Sequence, residues 1–204
     1  MPVFRRGTEC VLFIHIPKAA GTSIENLFVS QGYRMEFRRG GVHGPLNAFD
    51  RANGCSPQHM HAALLERHFQ DLDFTRIFTI VRHPVQRFLS EYRFRRQSGH
   101  ALAMGSADEF YEAAFARRSV QPGFLDNHLR PQVEFPWRDC RVYRLEQGMS
   151  VILEDLARGL ALDPTAHVER AMRSDPRLPT GLASSTEGSL RAFYADDFRA
   201  FGYE

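Results

Sequence analysis

Short apolar runs alternate with amphipathic stretches along this chain, and the alternation repeats three times. Cys10–Ile16 (CVLFIHI) is a continuous apolar run rich in β-branched residues, which predicts a buried strand. Pro17 ends it, and Gly21-Thr22-Ser23 opens a segment with Ile24, Leu27 and Phe28 on one helical face. Arg76–Val81 (RIFTIV) predicts a second buried strand. Pro84 then stands at a favourable first helical position, and the helix pattern runs to about Ser98. Cys140–Leu145 (CRVYRL) predicts a third strand, followed by the periodic helix Met149–Leu160. Between these units, His59–Phe69 has helical character through Leu64, Leu65, His68 and Phe69. Ser106-Ala-Asp-Glu109 is a capping box ahead of a helix through Arg118. Pro164–Met172 and Leu190–Phe201 predict further helices, and residues 32–56, dense in Gly, Arg and Asn, read as a loop-rich excursion. Strands alternating with helices predict an α/β fold with a central, mainly parallel sheet and helices on both faces. In such sheets ligands bind at the carboxyl ends of strands.

Size and composition narrow the picture. The 204 residues fit one domain spanning 1–204. Charged residues at 25% and hydrophobic ones at 43% exclude wholesale disorder. A formal net charge of only +2 argues against a dedicated nucleic-acid binder. Local basic clusters stand at Arg34/Arg38/Arg39, Arg93/Arg95/Arg96 and Arg117/Arg118. Each is a solvated face or the neighbour of an anionic ligand. Cys10, Cys55 and Cys140 lie far apart without metal-type spacing, which suits a reducing compartment. The first residues show no signal-peptide apolar region, and no 18-residue apolar run occurs, so a cytoplasmic location is expected. Of the 26 basic residues only Lys18 is a lysine. Ammonium is a compact point charge and guanidinium a wide planar fork, so a solitary Lys marks a place where Arg will not serve.

Lys18 sits in the turn between the first predicted strand and its helix. A strand that ends in a tight turn at a helix start directs backbone N–H groups and the helix dipole at one point, which is an anion site suited to phosphate. Gly21 lets backbone approach a ligand closely, Thr22 and Ser23 add hydroxyls, and Lys18 adds a mobile charge. This differs from the Walker A pattern, because Lys18 precedes Gly21 by three residues, on the strand side of the turn. No acidic strand end suited to magnesium accompanies it, so no metal is expected. The second unit, VRHPVQRFLSEY, places Arg82 at a strand end and Ser90 eight residues on. Arg82 can hold a phosphate bidentately while Ser90 donates one hydroxyl bond. Arg87 is either a further anion ligand or a structural partner. Two anion sites at neighbouring strand ends suggest a ligand with two phosphate groups, such as a nucleotide with 5′ and 3′ phosphates.

HIPKAAGTS followed by IVRHPVQRFLSEY resembles the paired signatures of sulfotransferases that use 3′-phosphoadenosine 5′-phosphosulfate. The pair is most similar to the carbohydrate sulfotransferase branch that includes the heparan-sulfate 2-O type. The resemblance implies a P-loop-like α/β domain and transfer of a sulfuryl group to an acceptor hydroxyl, without a metal. It implies that Lys18, Ala20, Gly21, Thr22 and Ser23 hold the 5′-phosphosulfate, with Ala19 and Ala20 replacing the family's usual Thr-Gly. Arg82 and Ser90 would hold the 3′-phosphate. Gly181–Thr186 (GLASST) is similar to a late loop that closes over the nucleotide, which adds Ser185 and Thr186. The Arg144-Leu-Glu146 strand end and the aromatic C-terminal segment are family-like as well. Lys18 is the catalytic cation expected near the bridging oxygen, where charge builds as the S–O bond breaks.

An acceptor hydroxyl needs a base, and His59-Met-His61 lies between the two phosphate motifs. The spacing resembles that of the 2-O type, and His61 is the expected base, with His59 second. His15 reads as support for the loop and His83 as a helix cap. Asn127, His128 and Gln132 form a polar stretch able to touch the acceptor. The expected partner is a hydroxyl-bearing acceptor, and the Arg clusters allow an acidic glycan. Two other classes compete: a P-loop nucleotide phosphotransferase requiring magnesium and ATP, and a non-catalytic anion- or glycan-binding module.

Overall fold

A computed structural model describes residues 1–37, 48–168 and 181–204. Among these residues the sheet has five strands in the order β3-β1-β2-β4-β5, with β1 at Val3–Arg6, β2 at Glu9–Ile14, β3 at Arg34–Glu36, β4 at Arg76–Val81 and β5 at Arg141–Arg144. β2, β4 and β5 pair in parallel, while β1 pairs antiparallel with both β2 and β3. The parallel half is the part the apolar runs predict. The antiparallel edge is an addition: Gly7 at φ +55° turns the chain back, so β1 hairpins onto β2. VFRR alternates too weakly over four residues to be read as a strand.

Among the described residues eight helices flank the sheet: α1 Gly21–Ser30, α2 Ala48–Asn53, α3 Ala62–Phe69, α4 Pro84–Gln97, α5 Ala107–Val120, α6 Met149–Ala157, α7 Ser184–Phe193 and α8 Ala195–Phe201. The Ser106 hydroxyl accepts from Glu109 N–H while Glu109 accepts from Ser106 N–H, so the capping box forms as the sequence predicts. The stretch 32–56, read as loop-rich, holds β3 and α2, and three further expectations change. His59 lies in a single 3-10 turn at Pro57–His59, and α3 begins only after His61, its N-cap. Residues 164–168 are not helical: the Asp163 carboxylate accepts from Thr165 N–H and Oγ–H, which closes a local turn that competes with a helix start. The rest of that predicted helix, and Arg38 and Arg39, lie outside the described residues. The last predicted helix is two, broken at Tyr194.

Two apolar clusters hold the fold. In the larger, paired residues Phe13 (β2) and Phe78 (β4) stack at 4.9 Å, and Phe28 of α1 stacks on both Phe4 and Phe78. His15, two residues past Phe13, keeps to the same face and stacks on it at 5.5 Å. The smaller cluster joins α4, α5 and α7 through Phe88, Phe110 and Leu190. Among the described residues, no helix is long and apolar enough to cross a membrane.

Candidate active site

Because β2 and β4 are parallel neighbours, with Ile14 opposite Thr79, the turns after them emerge side by side. In the first turn Lys18 (φ +67°) and Ala20 (φ +66°) both adopt left-handed backbone and flank the buried Ala19. Alternation of left-handed and ordinary residues swings successive N–H groups to one side, the concave arrangement that cradles anions. A glycine is at ease at position 20; Ala20 carries the left-handed conformation at a cost of about 1 kcal/mol.

Gly21 has a different reason to be glycine. A Cβ placed there would fall inside the His15 imidazole, against Nε2, Cε1 and Cδ2. The ring cannot retreat: it is buried, its Nδ1 bonds Glu25 Oε1 at 2.8 Å, and Gln58 holds the same carboxylate at 2.8 Å. Burial lowers the His15 pKa to about 4, against the pull of Glu25. His15 is thus a neutral prop beneath the cradle, the support role read from the sequence.

The second turn joins the first directly. Arg82 Nη1–H donates to the Lys18 carbonyl at 3.4 Å. Gln132, fully buried, fixes the Arg82 backbone by accepting from its N–H at 2.9 Å and donating to its carbonyl at 2.8 Å. Asp197 in turn accepts from the N–H groups of Gln132 and Val133. Ser90 is buried on α4, and Arg93, one turn later, adds its charge beside Arg82. Arg93 Nε is buried without a hydrogen-bond partner among the described residues. Arg82 and Arg93 put two guanidiniums near one another at this strand end, with Ser90 on the first turns of the same helix as Arg93. Arg87 resolves as a structural clamp, donating to the carbonyls of His128 (3.0 Å) and Arg130 (2.6 Å).

Lys18 lies against α4 through Phe94. Its Nζ lies 4.0 Å from the centroid of the Phe94 ring. Burial lowers the Lys18 pKa, Arg95 and Arg82 add to that, and Glu91 opposes it. Glu91 is completely buried on α4; its carboxylate accepts from Arg95 Nε at 2.5 Å and from His128 Nδ1 at 2.6 Å. Burial alone would raise its pKa, but His128, Arg95 and Lys18 outweigh that and hold it well below the carboxylate range.

Three imidazoles continue outward from the cradle. His15 and His59 meet edge to face at 4.9 Å, and His59 and His128 at 5.0 Å. Each has its own carboxylate: Glu25, Asp126 and Glu91, with His59 Nδ1 to Asp126 Oδ2 at 2.8 Å. Ser56 N–H and Oγ–H also donate to Asp126 and help keep it ionised. Burial lowers the pKa of His59 and of His128. An ionised carboxylate can only accept, so both rings carry hydrogen on Nδ1 and a lone pair on Nε2. One ligand atom from each of His59, Asp126 and His128 lies within 4.8 Å of the others, so these residues could also hold a divalent ion.

Asp126 and His128 come from a strained turn. Leu125, Asp126 and Asn127 are all left-handed, at φ +56°, +57° and +63°. The Asn127 side chain donates to His59 O at 2.8 Å and accepts from Arg130 Nε at 2.9 Å, which holds the turn in place. Of the polar stretch expected to touch acceptor, Asn127 and Gln132 are therefore engaged by the protein, and only His128 keeps a reactive atom.

His61 stands apart: it is half-buried, burial lowers its pKa, and its charged neighbours are Arg130 and Glu134. Ser185 is exposed, and Thr186 hydrogen-bonds Asp108 at the start of α5. No described contact joins either to Lys18, Arg82 or Ser90.

The family model described as Sulfotransferase family matches residues 2–204. The chain belongs to that family. No curated protein and no solved structure matches it. Membership accounts for the P-loop-like arrangement of parallel strands, turns and helices, and makes this sulfotransferase-family chain a transferase. Asp126 and Glu91 are the residues the sequence reading missed. Glu91 had a local signal, since it follows Ser90 and stands four residues before Arg95. Asp126 had none, because its partner His59 is 67 residues away.

Proposed function

We propose that this chain transfers a sulfuryl group from 3′-phosphoadenosine 5′-phosphosulfate to an acceptor hydroxyl. The observation that carries the reading is Lys18, which belongs to the left-handed turn after β2, sets its Nζ over Phe94 and takes an Arg82 hydrogen bond on its carbonyl. The 5′-phosphosulfate fits the cradle at Lys18, Ala20, Gly21, Thr22 and Ser23, and the 3′-phosphate fits against Arg82, Ser90 and Arg93. The acceptor oxygen bonds to sulfur as the bond from sulfur to the 5′-phosphate oxygen breaks. The acceptor proton passes to an imidazole Nε2, and the Lys18 ammonium neutralises charge on the departing phosphate. The products are a sulfate ester and adenosine 3′,5′-bisphosphate.

His59 is the base this geometry favours over His61, because Asp126 fixes its tautomer and stabilises the imidazolium that forms. A carbohydrate hydroxyl is the proposed acceptor, on the resemblance of the two motifs to the carbohydrate branch. The test is a thermal-shift comparison of adenosine 3′,5′-bisphosphate with ATP and magnesium, followed by turnover of Lys18→Ala and Lys18→Arg with labelled donor. The bisphosphate should stabilise more, and both variants should lose at least ~100-fold in kcat while remaining folded. Equal stabilisation by ATP, or normal turnover in Lys18→Arg, would overturn the assignment.

A further inference from the structure

Two imidazoles and a carboxylate meet at the outer end of the site, and the transfer chemistry needs only one of the rings. His59 stands in its 3-10 turn, whereas Asp126, 67 residues on, and His128 come from the left-handed turn. One ligand atom from each lies within 4.8 Å of the other two. The side chains of His59 and His128 are each 11% exposed and that of Asp126 is 24% exposed, so the group is enclosed by protein with an entry on the Asp126 side. His128 gives Nδ1–H to the fully buried Glu91 at 2.6 Å, which leaves Nε2 as its ligand atom. A carboxylate on the far nitrogen fixes a ligating imidazole in orientation and tautomer and makes it a stronger donor. Ser56 holds both oxygens of Asp126, through its N–H at 2.6 Å and its Oγ–H at 2.8 Å. No described hydrogen bond engages Nε2 of His59 or of His128. Arg95 Nε pairs with Glu91, so the anion that faces the two rings directly is Asp126.

We propose that His59, Asp126 and His128 bind a divalent transition ion of the zinc type, and that its occupation switches off sulfuryl transfer by taking the base. Two imidazole nitrogens and one carboxylate oxygen suit zinc, whereas magnesium and calcium favour oxygen ligands alone. Solvent on the Asp126 side supplies the remaining ligands. The switch follows from electron pairs. A neutral imidazole has one ring hydrogen and one ring lone pair. If the ion takes His59 Nε2, the pair that would accept the acceptor proton is spent. If it takes Nδ1, beside Asp126, the Nδ1 hydrogen moves to Nε2 and the pair is spent again. The ion and the acceptor proton therefore compete for one lone pair, while Lys18, Arg82 and the cradle stay free to bind the donor. The ion site stands on the geometry of the three side chains; its effect on turnover rests on the sulfotransferase reading.

Metal uptake tests the site without any turnover. The native protein, stripped with EDTA and then dialysed against zinc chloride, should load a single equivalent. Cobalt(II) in place of zinc should give the visible spectrum of nitrogen and oxygen ligands without a thiolate charge-transfer band, which separates the triad from Cys10, Cys55 and Cys140. His59→Gln and His128→Gln, each checked for its fold by circular dichroism, should weaken zinc by at least ~100-fold, since loss of an outer partner alone costs about 10–100-fold. His61→Gln should bind zinc as the native protein does. No uptake, a thiolate band, or unchanged affinity in both His59→Gln and His128→Gln would overturn the site, and the cobalt spectrum decides even if neither variant folds. In the second arm, zinc should leave affinity for adenosine 3′,5′-bisphosphate within roughly threefold and lower kcat by at least ~100-fold, with EDTA restoring it. Transfer that persists or rises in the zinc-loaded protein would overturn the switch. Absence of transfer with and without zinc, alongside the expected uptake, would instead overturn the sulfotransferase reading and leave the ion site standing.

Discussion

Gly21→Ala should destabilise this protein, although helix propensity predicts the reverse. Gly21 opens α1 and does not adopt a positive φ, so alanine fits its backbone. Propensity alone would favour the substitution by up to ~1 kcal/mol. Against this stands the His15 ring, which occupies the space of the new methyl. Overpacking at a fixed, buried group costs roughly 1–3 kcal/mol. If the ring swings away, its 2.8 Å bond to the Glu25 carboxylate goes too, at about 1.5–3 kcal/mol. Either route offsets propensity and leaves a net loss of about 1–2 kcal/mol, a fall in melting temperature of roughly 2–8 °C for a chain of this size. A double-mutant cycle isolates the cause. His15→Ala opens the space, so adding Gly21→Ala to it should cost at least ~1 kcal/mol less than in the native background. Urea denaturation of the four proteins measures this. A neutral or stabilising Gly21→Ala, or strict additivity, would refute the reasoning.

The other predictions concern the imidazoles and their clamp. His59→Gln should lower kcat by about 100-fold or more, whereas His61→Gln should stay within a few-fold, measured as sulfuryl transfer at saturating donor. Arg87→Met leaves the His128 and Arg130 carbonyls without their donor and should cost about 2–4 kcal/mol in urea denaturation. Because burial lowers the basicity of His15, His59 and His128, the unfolded chain takes up protons near pH 6.5 that the native one refuses. Stability should thus be full above pH 6.5 and fall as pH drops, by roughly 3 kcal/mol from His15 alone by pH 4. A melting temperature unchanged between pH 7.5 and 5 would contradict this.

Much of the site was legible because local chemistry announces it. A buried parallel strand is a bare apolar run, so β2, β4 and β5 and the turns after them stand out, with Lys18, Arg82 and Ser90 in place. The edge strands β1 and β3 were not legible: four and three residues carry too little periodicity, and their pairing is decided by the neighbouring strand. The choice between His59 and His61 was equally hidden. Two residues apart, they share their local signals, and what separates them is brought by distant segments: Asp126 and the His15 and His128 rings lie against His59, Arg130 and Glu134 beside His61. Gly21 was read as the glycine that lets a ligand approach the backbone, and what the described structure places against it is the His15 ring.

The left-handed turn that carries Asp126 also separates the lifetime of the activity from the lifetime of the fold. Three consecutive strained residues each raise the native energy by about 1 kcal/mol or more, and bonds from Ser56, His59 and Arg130, with backbone bonds inside the turn, hold them in place. Leu125 is only partly buried, at the margin of the smaller apolar cluster, so the turn should open more readily than the sheet unfolds. In the opened form the sheet and the donor cradle persist, but His59 has lost its carboxylate. On heating, turnover should therefore fade several degrees before the fold melts, and a protein that has lost activity in storage could still give an intact circular dichroism spectrum.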